Sequence, residues 1–238
     1  MSLLPHSANT PTKPNPQRIG PIVNEESDIK VFCLRLFCSI ELAWVEGRTS
    51  FPLSDVLPFL AGSPAAEVLV KVPPKGSRHA FPVDLTTQQG IESDADIYAK
   101  LERPLPSAWL NAPLAKFADS ILLLELVDDA PAFYCKGEVP AANKRRLAVF
   151  VQSKLRAPNR QHVGEPFRDE YNKCSNITCV PWVFVLISDS DHTTYNTARD
   201  EAHNGNGYFL SGMSLSSLYG DRLAELRKTA WDLWLPRP

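Results

Sequence analysis

The sequence predicts an α/β fold, a central mixed β-sheet flanked by helices, and three observations carry that reading. Apolar runs of strand length recur at Ile121 to Leu124, Leu147 to Val151 and Val183 to Ile187. They are continuous rather than alternating, the pattern of strands covered on both faces. Stretches of helical period stand among them, giving the order helix, strand, strand, strand, helix, strand, which suits a mixed sheet with helices packed against it.

The elements follow in chain order. Residues 1–24 hold five prolines among polar residues and read as an extended or disordered leader, so the folded domain is expected over 25–238. Ser27-Asp28 supplies an N-cap and a first-turn acid for a helix running to about Val45, with Gly47 as its stop. Val31, Leu34, Leu36, Phe37, Ile40, Leu42 and Trp44 make this helix apolar over more than one stripe, so it is expected to be well buried. A short second helix spans 53–60. Residues 65–72 read as a strand closed by Pro73-Pro74. The proline-rich stretch 73–118 is the least legible, with Asp94 to Leu101 as its clearest helical piece.

Beyond it, strands are expected over 120–127, 147–154 and 181–188, with a short one over 208–210. Helices are expected at 166–173 and 191–203. The last, 221–235, has Leu223, Leu226, Ala230, Leu233 and Trp234 on one face. No period of 20–50 residues indicates a solenoid or propeller.

Bulk properties narrow the function. The longest apolar runs fall far short of the roughly 20 residues that cross a bilayer. Met1 to Arg18 carries no apolar core of signal-peptide length. Five cysteines, an odd number in a chain of 238 residues, read as reduced thiols. Together these predict an intracellular protein, cytoplasmic or nuclear, whose sequon Asn176-Ile177-Thr178 is not glycosylated. The net charge of -2, from 25 basic and 27 acidic residues, means that any nucleic-acid contact must be local.

Several chemical signals are weighed and set aside. Cys33 and Cys38 lie about 140° apart around a helix, which is unsuited to a shared metal. Cys174 and Cys179 with His162 need three distant pieces to converge. Gly212-Met-Ser214 lacks the second glycine of a hydrolase elbow. His192 reads either as a general base or as a solvated cap. Neither a Walker loop nor a dinucleotide fingerprint is present.

One constellation remains. Ala118-Asp119 opens one apolar strand, and another ends in Gln152-Ser153-Lys154 after an apolar body. Gln152 and Lys154 are two apart and so share a face of their strand. This pair resembles the PD-(D/E)xK nuclease superfamily, whose signature is an Asp at the start of one strand and an acid-x-Lys at the end of its neighbour. Here the proline is missing and Gln152 replaces the acid. The phrase from Phe150 to Lys154 looks most like the nuclease-like modules of Crinkler and retrotransposon hot spot proteins. The resemblance covers about 117–190 and implies a restriction-endonuclease-like core.

It also implies a role for each residue. Asp119, the Gln152 carbonyl and the Ser153 backbone carbonyl would ligate Mg2+ (or Mn2+), with Glu41 of the first helix, or Glu46 at its end, as a further ligand; Glu41 also reads as a partly exposed helix acid. Lys154 would hold the attacking water and counter phosphate charge. Lys144, Arg145, Arg146, Arg156 and Arg160 flank the second strand, either as clamps on the phosphates of DNA or as solvated loop charges. Two functions follow: metal-dependent hydrolysis of DNA phosphodiesters, or a non-catalytic nucleic-acid or protein interaction module on a degenerate nuclease fold. An unrelated α/β domain, in which Lys154 is a strand-end charge, is the third reading.

Overall fold

A computed structural model describes residues 19–76, 83–84, 93–110, 118–130, 138–154, 171–188 (Lys173 and Ser175 excepted) and 207–211. The helices expected at 191–203 and 221–235 lie outside the described residues, as do Arg156, Arg160, His162, His192 and Gly212 to Ser216.

The first element, α1 (Ile19–Glu46), is longer than the sequence suggests. Its start falls within the expected leader, so Ile19 to Asn24 are helical and Ser27-Asp28 lies inside the helix rather than at its cap. Pro21 explains the misreading. Proline in the first turn lacks only an N–H that would be unpaired there anyway, so it is compatible with a helix start. The C-terminus follows expectation. Gly47 adopts φ 69°, its N–H donates to the Trp44 carbonyl, and the Arg48 N–H donates to the Ala43 carbonyl. That is the Schellman arrangement, and it needs a left-handed residue at Gly47.

A small antiparallel pair follows, β1 (Ser50–Pro52) with β2 (Leu69–Lys71). The expected helix at 53–60 is instead two 3-10 turns, Leu53–Asp55 and Pro58–Leu60. Pro58 removes a donor and disfavours helical backbone at Leu57, so no α-helix runs through. A further 3-10 turn, Pro64–Glu67, takes the front of the expected strand at 65–72. Helix α2 (Asp94–Leu101) forms where expected. Ser93 and Asp96 close a capping box in which each side chain accepts from the other's backbone N–H.

The main sheet has six strands in sequence order: β3 (Val83–Asp84), β4 (Ser107–Leu110), β5 (Ser120–Glu125), β6 (Arg146–Lys154), β7 (Trp182–Ser188) and β8 (Gly207–Ser211). Strands β4, β5 and β6 form an antiparallel meander, whereas β6, β7 and β8 run parallel. The strand beside β5 is therefore β4, from the proline-rich stretch, and not residues 69–71, which belong to the small sheet. The fold class is mixed α/β, as the sequence predicts.

Alternation along these strands makes two cores. On one face Leu122, Leu124, Leu147, Val149, Val151, Val183 and Val185 pack with Ile29, Phe32, Leu36, Ile40 and Ala43 of α1. On the other, Ile121, Leu123, Ala148, Phe150, Trp182 and Phe184 pack with Ile97 and Leu101 of α2 and with Tyr171, Cys174, Ile177 and Cys179. Each large side chain removed from water contributes about 1.5–3 kcal/mol, so the two-sided burial of β5 to β7 dominates stability. Among the described residues no helix is long and apolar enough to cross a membrane.

The cysteines test the placement of α1. Cys33 is buried and Cys38 exposed, as their angular separation requires. Burial pushes the Cys33 thiol from 9.0 up to about 12, because desolvation disfavours the thiolate. Maleimide at pH 8 is expected to modify Cys38 within minutes in the folded protein and to leave Cys33 unmodified until denaturant is added, as read by peptide mass spectrometry. Equal native labelling of both would contradict the orientation of α1.

Candidate functional site

The antiparallel register fixes the geometry of the site. Ser120 pairs with Val151, and the ladder between β5 and β6 stops there. One residue further, Asp119 stands across from Gln152. Opposed residues in an antiparallel pair project to the same face, here that of Ile121 and Phe150, opposite α1. The start of β5 thus meets the end of β6, and the two side chains expected to act together converge.

They are bonded directly. Gln152 Nε2 donates to Asp119 Oδ2, and the Ser153 backbone N–H donates to the same oxygen at 2.8 Å. Along β6 every second N–H faces β5, so the Ser153 N–H would be the next donor of the ladder. With β5 not yet begun at that level, the Asp119 carboxylate accepts in its place. Ser120, also buried, donates through Oγ to the Val151 carbonyl at 3.4 Å. Gln152 is 6% exposed and Asp119 half-buried. At such depth a side-chain amide without partners would be costly, and the carboxylate supplies one.

This arrangement has a chemical consequence. The Gln152 amide presents its NH2 group to Asp119, so its carbonyl is not directed at the oxygen that Asp119 offers. The described corner is a carboxylate held by two donors. Its negative charge is positioned by the Gln152 amide and the Ser153 N–H.

The remaining expected site residues separate into three groups. Ser153 is part of the corner, through its N–H. Lys154 follows in β6, paired with Ser188 of β7, and its side chain lies outside the described atoms. Glu41 is half-buried on α1, which covers the other face of the sheet, so the structure does not bring it to Asp119. No group of three His, Cys, Asp or Glu residues among the described residues is placed to hold a metal.

The basic run is also elsewhere. Lys144, Arg145 and Arg146 stand at the start of β6, and seven residues of strand put Arg145 roughly 23 Å from Gln152. Arg145 pairs with Asp129 at 3.5 Å, and Arg146 donates to Asn143 Oδ1 at 3.0 Å. Asn143, itself buried, donates on to the Cys179 carbonyl at 2.8 Å, so Arg146 serves to hold the turn entering β6.

One cation near the corner escaped the sequence reading. Lys100 of α2 is buried, with Nζ 4.8 Å from the centre of the Trp109 ring. Trp109 opposes Ile121 in the β4–β5 ladder, so it is a diagonal neighbour of Asp119 on the same face, a spacing of about 7–8 Å between Cα atoms. A lysine at this helical position reads as solvent-facing, and only the packing of α2 over the sheet reveals otherwise.

Comparisons with known proteins add nothing to this description: no family model, no curated protein and no solved structure matches the chain.

The double acceptance by Asp119 leads to a direct expectation. In Asp119→Ala the Ser153 amide loses its acceptor, and its hydrogen exchange should accelerate about 10–100-fold, equivalent to roughly 1.4–2.8 kcal/mol of protection. The amides of Val149 and Val151 should keep theirs. Unchanged exchange at Ser153 would show that the carboxylate does not close the ladder.

Proposed function

We propose that the chain is a nuclease-like module of the PD-(D/E)xK kind, with a restriction-endonuclease-like core, serving metal-dependent hydrolysis of DNA phosphodiesters at the Asp119–Gln152 corner. One observation carries the reading. The start of β5 and the end of β6 lie side by side, with Asp119 and Gln152 in contact and Lys154 two residues further along the same strand. The order from α2 onward supports it: a helix, the antiparallel strands β4, β5 and β6, a helical turn at 171–172, then β7 parallel to β6.

The donor set fits a hydrated Mg2+ or Mn2+ at its minimum. Such an ion is held by one or two carboxylates, with waters and substrate phosphate filling the other positions. Asp119 supplies the carboxylate. Gln152 adds its carbonyl oxygen only when its amide is turned over from the described orientation. Bound there, the metal would stabilise charge developing on the phosphoryl group. The chain's own contributions are distinct. Gln152 and the Ser153 N–H hold the Asp119 carboxylate at a fixed angle. Lys154 is assigned the countercharge to phosphate.

A second reading is favoured by one specific feature, the saturation of Asp119 Oδ2 by internal donors. In that reading the corner is a structural clasp retained on a degenerate nuclease fold, and the protein binds nucleic acid or protein without turnover.

Supercoiled plasmid with Mg2+ or Mn2+ separates the two. The first reading predicts nicking that falls at least about 100-fold in both Asp119→Ala and Lys154→Ala. Absence of nicking together with salt-sensitive DNA binding moves the conclusion to the clasp. Nicking that survives both changes excludes this corner.

A thermodynamic readout complements activity. Gln152→Glu replaces a donor with a second carboxylate facing Asp119, which should cost about 1–3 kcal/mol in EDTA and lower Tm by roughly 2–10 °C. If the corner accepts a divalent ion, millimolar Mn2+ should restore most of that loss. A variant that stays destabilised in Mn2+ marks the corner as a clasp.

A further inference from the structure

Burial departs from polarity at two places. The outer stripe of α1, which the sequence reads as buried, is exposed at Leu34, Phe37 and Leu42, because the sheet receives only one side of the helix. The opposite departure is Lys100. Among the described residues it is the one lysine, arginine, aspartate or glutamate that is buried, at 8% exposure.

The path of α2 explains where its ammonium goes. At the helix start Asp94 accepts from the Thr178 N–H at 3.2 Å and from its hydroxyl at 2.6 Å. That ties this end to the segment leading into β7. Ile97 and Leu101 then pack on the sheet. About 9 Å further along the axis than Asp94, Lys100 sets Nζ 4.8 Å from the centre of the Trp109 ring. The helix thus crosses from the entry of β7 to β4 and delivers a positive charge to the face that carries Asp119.

An ammonium in that position needs a countercharge. The face of an indole attracts a cation modestly, and the last turn of a helix adds a weaker attraction. Removal from water costs more than both unless an opposite charge lies close. Asp94 and Asp96 serve the start of α2, with Thr178 and Ser93 as partners. Asp119 is the diagonal neighbour of Trp109 across β4 and β5, about 7–8 Å away between Cα atoms. The need is mutual. Gln152 and the Ser153 N–H approach Asp119 as neutral donors, so they orient its charge without cancelling it.

We propose that Lys100 is a positioning residue of the Asp119 corner, its ammonium the internal countercharge of that carboxylate and a competitor of any divalent cation bound there. The competition rests on the metal-binding reading of the corner, whereas the charge pairing does not. Lys100 lowers the affinity of the corner for a divalent ion alone, because like charges then gather about one carboxylate. The negative charge of a phosphodiester offsets that repulsion, so metal and nucleic acid are expected to bind more tightly together than either does separately.

Two measurements on the full chain test the proposal. Asp119→Asn keeps a carbonyl acceptor for the Ser153 N–H and removes the charge. In urea it should raise the unfolding equilibrium constant at least about 10-fold more in the wild-type background than in Lys100→Met, whose unbranched stem keeps its packing on Trp109. Lys100→Gln, a second neutral variant, should behave as Lys100→Met does. In titrations with Mn2+ alone, followed by electron paramagnetic resonance, Lys100→Met should lower Kd at least about fivefold and Lys100→Arg should leave it within about twofold. Asp119→Asn should abolish that binding. A merely structural role for Lys100 would lower Tm in Lys100→Met without tightening Mn2+ binding. Coupling below about 1.5-fold in urea would overturn the charge pairing and the proposal with it. Mn2+ affinity unchanged or weakened in Lys100→Met would overturn the competition. Coupling intact, with no Mn2+ bound by any variant, would support the charge pairing and refute the metal-binding reading on which the competition rests.

Discussion

The antiparallel pairing of β5 with β6 is the constraint on which the rest depends. Its register, with Ser120 against Val151, assigns each residue of both strands to one face or the other, and a slip of one residue would exchange the two sets. Because both faces are buried, such a slip would expel neither core cleanly. It would instead press Leu122 and Val149 into the space shaped for Ile121 and Phe150. The same register sets Asp119 beside Gln152. Core packing and the Asp119–Gln152 corner are therefore fixed by one interaction.

That coupling explains how the sheet ends. A strand pair that stops leaves donors unmet, and here the next donor of β6 is the Ser153 N–H. Asp119 meets it with a side chain, and Gln152 adds a second donor to the same oxygen. In the proposed catalytic reading the same carboxylate would also ligate a metal. The two roles compete for one oxygen atom, and this competition separates the catalytic reading from the clasp.

Much of this was legible in the sequence, for physical reasons that can be named. Strands β5, β6 and β7 are unbroken apolar runs, which water excludes on both sides, and their bounds fall within a few residues of expectation. The capped helix α2 and the stop at Gly47 follow from local hydrogen bonding alone. Strand β4 was hidden because its four residues lie between prolines that mask any pattern. The early start of α1 was hidden because Pro21 looks the same in a leader and in a first helical turn. For the site, period-two alternation and strand-end positions were enough to bring Asp119 to Gln152. They could not place Glu41, because helical periodicity shows which side of α1 is buried but not which face of the sheet receives it. Nor did they reveal Lys100, whose burial depends on the crossing of α2 over Trp109. The basic run was adjacent in sequence but distant in space, since an extended strand carries its two ends far apart.

The most direct test of the central claim is a double-mutant cycle in urea between Asp119→Ala and Gln152→Ala. Direct contact between the two side chains predicts a coupling free energy of about 1–2 kcal/mol, with the double variant little worse than Asp119→Ala alone. Additive losses, with coupling below about 0.3 kcal/mol, would show that the two residues do not meet, and the account of the corner would fail.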